Sequence, residues 1–352
     1  MSGPPAVTVL MSVFNDVEFV GAALESILGQ TFRDFELLVI DDASADGSAA
    51  VLGRVEDDRL RVIRNETNLG LTRSLVKGLA EARGRYVARM DADDVALPDR
   101  LERQVAFMEA HPDVGILGGD CELIDVEGRP LGPATYATTD LEIRWRSLLA
   151  NPFAHPTVML RRDVLTRSGI SYDPAFRTAQ DYDLWVRLLG VTRGANLGEP
   201  LLRYRMRHGV TSRHRRSQLE NHDAIALRSI RQQCPDVSVE PEQVSALRSL
   251  VVGGGDLTPQ IESRRVGLAG LYLRLLESFA ARHAGVSGTS ALGRREVVRI
   301  ATIGLRPPWR VGTVALVLRL ARAARLPRGL VGYAGDALDR RRGRLADVPS
   351  RS

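Results

Sequence analysis

Cysteine is nearly absent from this 352-residue chain: Cys121 and Cys234 are the whole complement. Two thiols cannot build a disulfide framework, so a reducing compartment is expected, and no suitably spaced histidine joins them to suggest zinc. Lysine is scarcer. Lys77 is the only one among 48 basic residues, and codon bias explains that more simply than function does. Aromatic residues make up 5%. They do not interleave with basic stretches and no reader motif appears, so nucleic acid is not an expected partner. Long apolar runs are missing too: the best, Val311 to Leu318, is cut by Arg319, well short of the roughly 20 residues of a membrane span. The first residues lack the basic stretch and apolar core of a secretory leader, and a cytoplasmic protein is expected. The chain has no G-x-x-x-x-G-K-S/T loop. Its first strand ends in Ser-Val-Phe-Asn-Asp rather than G-x-G-x-x-G, which argues against a dinucleotide oxidoreductase.

What is present is an ordinary globular composition, 44% hydrophobic and 26% charged, enough for one large domain and an appendage. Strand and helix patterns alternate through the first 120 residues. Apolar runs at Val7–Phe14, "FELLVIDD", "RLRVIRN", "RYVARM" and "DVGILGG" are separated by segments with helical spacing. That alternation predicts an α/β fold with a mostly parallel sheet covered on both faces. From about 120 to 210 the pattern is mixed, with a hairpin at Glu127-Gly128 and a helix opening at "TAQDYDLW". Beyond Ser212, Arg, Leu and Ala recur at helical spacing. The expected organisation is a catalytic domain over 1–212, a helical C-terminal region over 213–335 and a loose basic tail over 336–352. The net charge of +5 is weighted toward that end. Arg319, Arg322 and Arg325 share a helical face, which suits either an anionic membrane surface or plain solvent.

In doubly wound sheets, ligands bind beyond the carboxyl ends of the strands, where strand order reverses. Four consecutive strand ends here are polar: Ser12 to Asp16, Asp41-Asp42, Asn65 with Asn68, and Asp91 to Asp94. Together they suggest one ligand groove. The "RMDADDVALP" stretch is the sharpest of them. Three crowded carboxylates repel and lose hydration unless a cation sits among them. Arg89 alternates away from Met90 along the strand and Arg100 belongs to the next helix, which favours a divalent ion carried with a diphosphate over an arginine. Asp93 is the first ligand choice and Asp91 the second, with Asp94 capping the helix after Pro98.

The ordered set "VTVLMSVFND", "FELLVIDDASADGS", "NLGLTRSLVKGLAEARGRYVARMDADD", "LPDRLERQV" and "AQDYDLWVRL" resembles the family 2 inverting glycosyltransferases with the GT-A fold, a Rossmann-like sheet flanked by helices. The resemblance spans roughly residues 6 to 210. It implies transfer of a sugar from a nucleoside diphosphate sugar, most often a UDP-sugar, to a hydroxyl of a glycan or glycolipid, with Mn²⁺ or Mg²⁺. It places Ser12, Phe14 and Asn15 at the nucleotide, and Asp41 or Asp42 at the base or ribose. Asp91 falls at the ribose or metal, Asp93 at the metal, and His208 where a late element closes over the diphosphate and touches the metal. Arg205 and Arg207 add phosphate contacts and Arg73 a further substrate contact. Asp181 matches the catalytic base. A carboxylate that takes the acceptor proton and a cation that stabilises the leaving diphosphate are the parts this inversion needs, with no covalent intermediate.

The sequence departs from the family at Gln180, where glutamate is usual, and this puts acceptor orientation in question. Asp183 is the second candidate base. His155 reads equally as an acceptor-side residue or a structural histidine, and Trp145 and Trp185 read as core. Surface polysaccharide or glycolipid assembly at the inner face of the plasma membrane is the expected setting. A sugar nucleotidyltransferase and a non-catalytic nucleotide-sugar scaffold are the competing readings.

Overall fold

The computed structural model describes residues 3–207, 215–252 and 259–304. They fall into two units, divided between Ile225 and Ala226. That is later than the expected boundary at 212, because helix α8 (Arg215–Gln233) runs through the division.

The first unit opens with β1 (Val7–Val13), α1 (Val20–Leu28), β2 (Phe35–Asp41), α2 (Ser48–Leu52), β3 (Leu60–Arg64), α3 (Leu71–Glu81) and β4 (Tyr86–Asp91). β5 (Val95–Ala96) and α4 (Arg100–Ala110) follow. Next come β6 (Val114–Ile124), β7 (Pro130–Ala134), α5 (Asp140–Arg146), a 3₁₀ turn at His155–Thr157 and β8 (Met159–Arg161). α6 (Arg162–Ser168), α7 (Gln180–Leu188) and β9 (Arg193–Arg205) complete it before α8.

The strands form one sheet in the order β3-β2-β1-β4-β8-β6-β9-β5, with β7 on β6. β1 to β4 are mutually parallel, as the alternating pattern predicts. The far half is mixed: β8 is antiparallel to both β4 and β6, while β6 and β9 are parallel. The chain winds from β1 outward to β3, then returns to place β4 on the other side of β1. That reversal opens a crevice above β1 and β4, where Ser12 stands opposite Asp91.

Strand alternation divides the core. Val9, Met11, Ala88 and Met90 face α1, with Leu24 and Ile27 across from them, and Leu101 and Met108 of α4. Leu10, Leu38 and Val87 face the opposite way, toward Leu75 of α3 and Leu184, Trp185 and Leu188 of α7. Trp185 is fully buried and meets Phe153 edge-on at 5.8 Å. At about 25 cal/mol per Å², a buried aromatic of 150–250 Å² contributes about 4–6 kcal/mol, so α7 is held firmly against the sheet. Gly84 passes so close to β1 that a Cβ there would lie 2.3 Å from the Thr8 nitrogen.

The second unit contains α9 (Pro241–Val251), α10 (Pro259–Arg282) and α11 (Thr289–Gly304). They bury Leu247, Leu271, Leu275, Phe279 and Ile300. Tyr272 donates to Glu296 at 2.7 Å, tying α10 to α11. Among the described residues no helix is long and apolar enough to cross a membrane. The C-terminal arginines lie outside the described residues.

Candidate active site

The loops after β1 and β2 are laced together. Asn15 accepts from the Ala45 N–H at 2.9 Å, and its own N–H donates to Ser44 Oγ at 3.1 Å. Asp16 N–H donates to Ser48 Oγ, and Val17 N–H to Asp46 Oδ2. Asn15 adopts a left-handed φ of 52°, which asparagine tolerates better than most residues. That turn leaves Phe14 46% exposed at the mouth of the crevice. Asp41 accepts from the Ser44 N–H and lies 3.5 Å from the Arg64 guanidinium. Asp42 is a clasp: it accepts from Asn65 Nδ2 at 2.7 Å, Leu69 N–H at 2.8 Å and Gly70 N–H at 2.8 Å. It thereby fixes the segment that starts α3. Lys77 donates to Asn65 Oδ1 at 2.8 Å and completes this network.

One ligand oxygen each from Asp91, Asp93 and Asp94 lies within 4.8 Å of the others. Burial raises the Asp93 pKa to about 6, aided by the charges of Asp91 and Asp16 and opposed by Arg207. Burial also pushes Asp94 well up, with Asp91 and Asp93 adding to the effect. Asp94 Oδ1 accepts from the Arg205 N–H at 2.8 Å, while its buried Oδ2 has no hydrogen-bond partner. Asp94 therefore pins β9 rather than capping α4, correcting the sequence-based expectation; the residue before α4, Asp99, makes no side-chain cap either. Hard oxygen donors, an orphaned buried oxygen and carboxylates held under mutual repulsion fit a divalent cation such as Mg²⁺ or Mn²⁺.

Two arginines already touch the cluster. Arg89 forms an ion pair with Asp91. The expectation that Arg89 turns away was wrong for a simple reason: residues two apart on a strand share a face. Arg207 lies 2.5 Å from Asp16 and 3.3 Å from Asp93.

Asp181 is the second residue of α7. Desolvation raises its pKa, opposed by hydrogen bonds from the Tyr182 N–H and from Asn151 and by the charge of Arg89. Asn151 Nδ2 donates to Asp181 Oδ2 at 2.6 Å. Ala179, just before the helix, is left-handed at φ 60°, a strained conformation that aims the start of α7. Asp183, the alternative base, is fully buried and neutralised by Arg187 at 2.5 Å, so its charge serves the helix.

A sequence profile described as "Glycosyl transferase family 2" matches residues 8–167. EpsE of Bacillus subtilis (strain 168) is 34% identical over 225 residues, which are 62% of this chain and 78% of EpsE. The chain belongs to glycosyl transferase family 2. The O-antigen biosynthesis glycosyltransferase WbnJ of Escherichia coli is 32% identical over 215 residues, 59% of this chain and 82% of WbnJ. Among solved structures, S. aureus TarS 1–349 in complex with UDP-GlcNAc superposes with a TM-score of 0.54 at 19% identity, covering 91% of each chain. The fold is GT-A with a helical C-terminal region, as expected.

Within this glycosyltransferase the other expected site residues fall as follows. Ser12 is the penultimate residue of β1, at the crevice. Arg73 is exposed in the first turn of α3. Gln180 is buried at the start of α7, beside Asp181. His155 is hydrogen-bonded to the Tyr172 hydroxyl at 2.7 Å and edge-on to Trp185; burial and Arg89 drive its pKa well below 6.5, so it is neutral. Arg205 differs from expectation. Its guanidinium donates to the carbonyls of Asp93, Asp125 and Val126 and stacks on Phe19, which commits it to main chain rather than phosphate. Gly118, Gly119 and Asp120 lie inside β6. His208 lies outside the described residues. Asp16 was expected only as part of the polar end of β1, and Arg89 and Asn151 carried no expected role. Arg89 was readable from its i, i+2 spacing to Asp91; Asn151 had no sequence signal, because it meets Asp181 only through the fold.

Proposed function

We propose that this glycosyltransferase is an inverting, metal-dependent enzyme that moves a sugar from a nucleoside diphosphate sugar, with UDP as the nucleotide, to a hydroxyl of a glycan or glycolipid acceptor. The observation that carries the reading is the presence of two acidic groupings on different elements of the first unit. A cluster of carboxylates suited to a cation stands at the end of β4, and a single desolvated carboxylate, Asp181, stands on α7. The UDP-GlcNAc complex of the structurally similar TarS supports a UDP-sugar donor. O-antigen synthesis by WbnJ supports assembly of a surface polysaccharide.

Asp91, Asp93 and Asp94 would hold Mn²⁺ or Mg²⁺, which supplies stabilisation of the negative charge on the leaving diphosphate. Phe14 offers an apolar face to the base, and the laced β1 and β2 loops keep the nucleotide pocket in one shape. Asp181 accepts the proton of the attacking hydroxyl, its raised basicity matching that task. Asn151 fixes the carboxylate's orientation. The arginine-rich C-terminal segment suits placement at the cytoplasmic face of the plasma membrane.

The test is metal-dependent release of nucleoside diphosphate from a panel of sugar donors, with the anomeric configuration of the product read by NMR. UDP release with inversion is expected. Release of pyrophosphate would identify a nucleotidyltransferase, and metal-dependent donor binding without turnover would identify a scaffold.

A further inference from the structure

The chain enters the helix of Asp181 through a strained turn, with Ala179 left-handed at φ 60° and ψ 20°. Residues other than glycine persist in that region only where their surroundings enforce it. Two elements distant in sequence do so here, and both contacts lie in the first unit. Asn221 of α8 donates its Nδ2 to Thr178, to the carbonyl at 3.1 Å and to Oγ1 at 2.9 Å. Thr72, the second residue of α3, donates its hydroxyl to the Phe176 carbonyl at 2.8 Å. Apolar packing joins the same elements: Ala179, Tyr182 and Val186 cluster with Ile225 of α8, and Phe176 packs against them. Asn221 and Ile225 are one helical turn apart, so one face of α8 carries both the donor and the apolar contact.

We propose that Asn221 and Thr72 are positioning residues for sugar transfer: they hold the segment from Phe176 to Ala179 so that Ala179 keeps its left-handed turn and α7 presents Asp181 in one orientation. The inference rests on the reading of Asp181 as the base. The reason is geometric. The Thr178 carbonyl lies in the peptide plane that joins Thr178 to Ala179, so the bond from Asn221 fixes that plane. On the other side, the Ala179 carbonyl accepts from the Asp183 N–H at 3.0 Å. With both planes held, φ and ψ of Ala179 are set, and so is the direction in which α7 starts. Releasing the Thr178 plane lets Ala179 relax to an ordinary backbone conformation and turns the first residues of α7, Asp181 among them. Thr72 adds a shared support. The backbone just before it, at Leu69 and Gly70, is fastened by Asp42. The first turn of α3 therefore steadies both the Asp42 loop and the segment that aims the base.

The experiment measures kcat for UDP release from the best donor of the panel with Mn²⁺, beside the Kd of UDP with Mn²⁺, on the full chain. Asn221→Ala should lower kcat about tenfold with UDP affinity unchanged, because a misaimed base costs rate rather than donor binding. Glycine takes the left-handed turn without strain, so adding Ala179→Gly should bring the Asn221→Ala enzyme back to within about threefold of the native kcat. Thr72→Val keeps the shape but loses the hydroxyl and should lower kcat about threefold, while Thr72→Ser keeps the native rate. A folded Asn221→Ala enzyme with native kcat overturns the proposal. So does a deficit that Ala179→Gly leaves unchanged, or one that falls on UDP affinity. Should Asn221→Ala fail to fold, the Thr72 pair decides: equal kcat in the valine and serine variants overturns it. A native rate in Asp181→Asn would refute the base itself, whereas a native rate in Asn221→Ala beside an inactive Asp181→Asn refutes the positioning alone.

Discussion

Replacing Asp93 by asparagine tests whether the carboxylate cluster sits under electrostatic stress in the free protein. The Asp93 side chain is 20% exposed. Its pKa is pushed up to about 6 from an ordinary 3.8, by burial first and then by Asp91 and Asp16. Between those two values the native state binds more protons than the unfolded chain, so stability falls as pH rises through that window. Above it the deficit is complete. About two pK units at about 1.4 kcal/mol each give about 3 kcal/mol. Asparagine keeps the shape and removes the deficit. It also gives up the 3.3 Å contact with Arg207, a partly exposed pair contributing about 1 kcal/mol or less. The expected net gain is about 2 kcal/mol at pH 7.5, or roughly 4–8 °C in Tm for a unit of this size. Near pH 4 the native carboxyl is protonated anyway and the gain should vanish. Calorimetry in EDTA at the two pH values measures this. Saturating Mn²⁺ should then raise the Tm of the native protein and leave the variant unmoved. A variant less stable at pH 7.5, or equally stabilised at both pH values, would refute the reasoning.

Asp181→Asn should lower kcat by about 10²–10⁴ while isothermal titration finds UDP and Mn²⁺ bound as in the native protein; loss of donor binding would move Asp181 out of the acceptor side. Arg207→Gln should tighten Mn²⁺ binding without nucleotide by about tenfold, read by electron paramagnetic resonance, because the guanidinium that touches Asp93 competes for it. Weaker binding would mean that Arg207 organises the cluster instead. Asp42→Ala should cost about 2–4 kcal/mol in urea unfolding, since Leu69 and Gly70 lose their acceptor; a loss under about 1 kcal/mol would deny the clasp its role.

The sequence patterns that reached the structure intact were the local ones. Val7–Val13, Phe35–Asp41, Leu60–Arg64 and Tyr86–Asp91 announce buried strands by composition, and their polar ends mark the crevice, because strand direction alone sends all four ends to one side. What stayed hidden depends on pairings distant in the chain. β8 enters antiparallel between β4 and β6, and nothing in Met159–Arg161 declares its direction. Arg205 and Arg207 look alike in "RYRMRH", yet one is consumed by carbonyls and the other meets carboxylates. The Asp41-Asp42 pair is ambiguous for the same reason: only the fold shows that Asp42 fastens the start of α3.

The solitary lysine has a practical consequence. Both cysteine thiols are buried, with pKa values pushed up to about 12 for Cys121 and about 11 for Cys234, so thiol reagents meet poor nucleophiles. Lys77 is only partly buried and its amine rests on Asn65, one bond from the Asp42 clasp. An acylating dye therefore has a single side-chain amine to address, beside the loop that borders the nucleotide crevice. The native sequence thus carries its own attachment point for a fluorescent readout of donor occupancy, with no residue to remove and none to add.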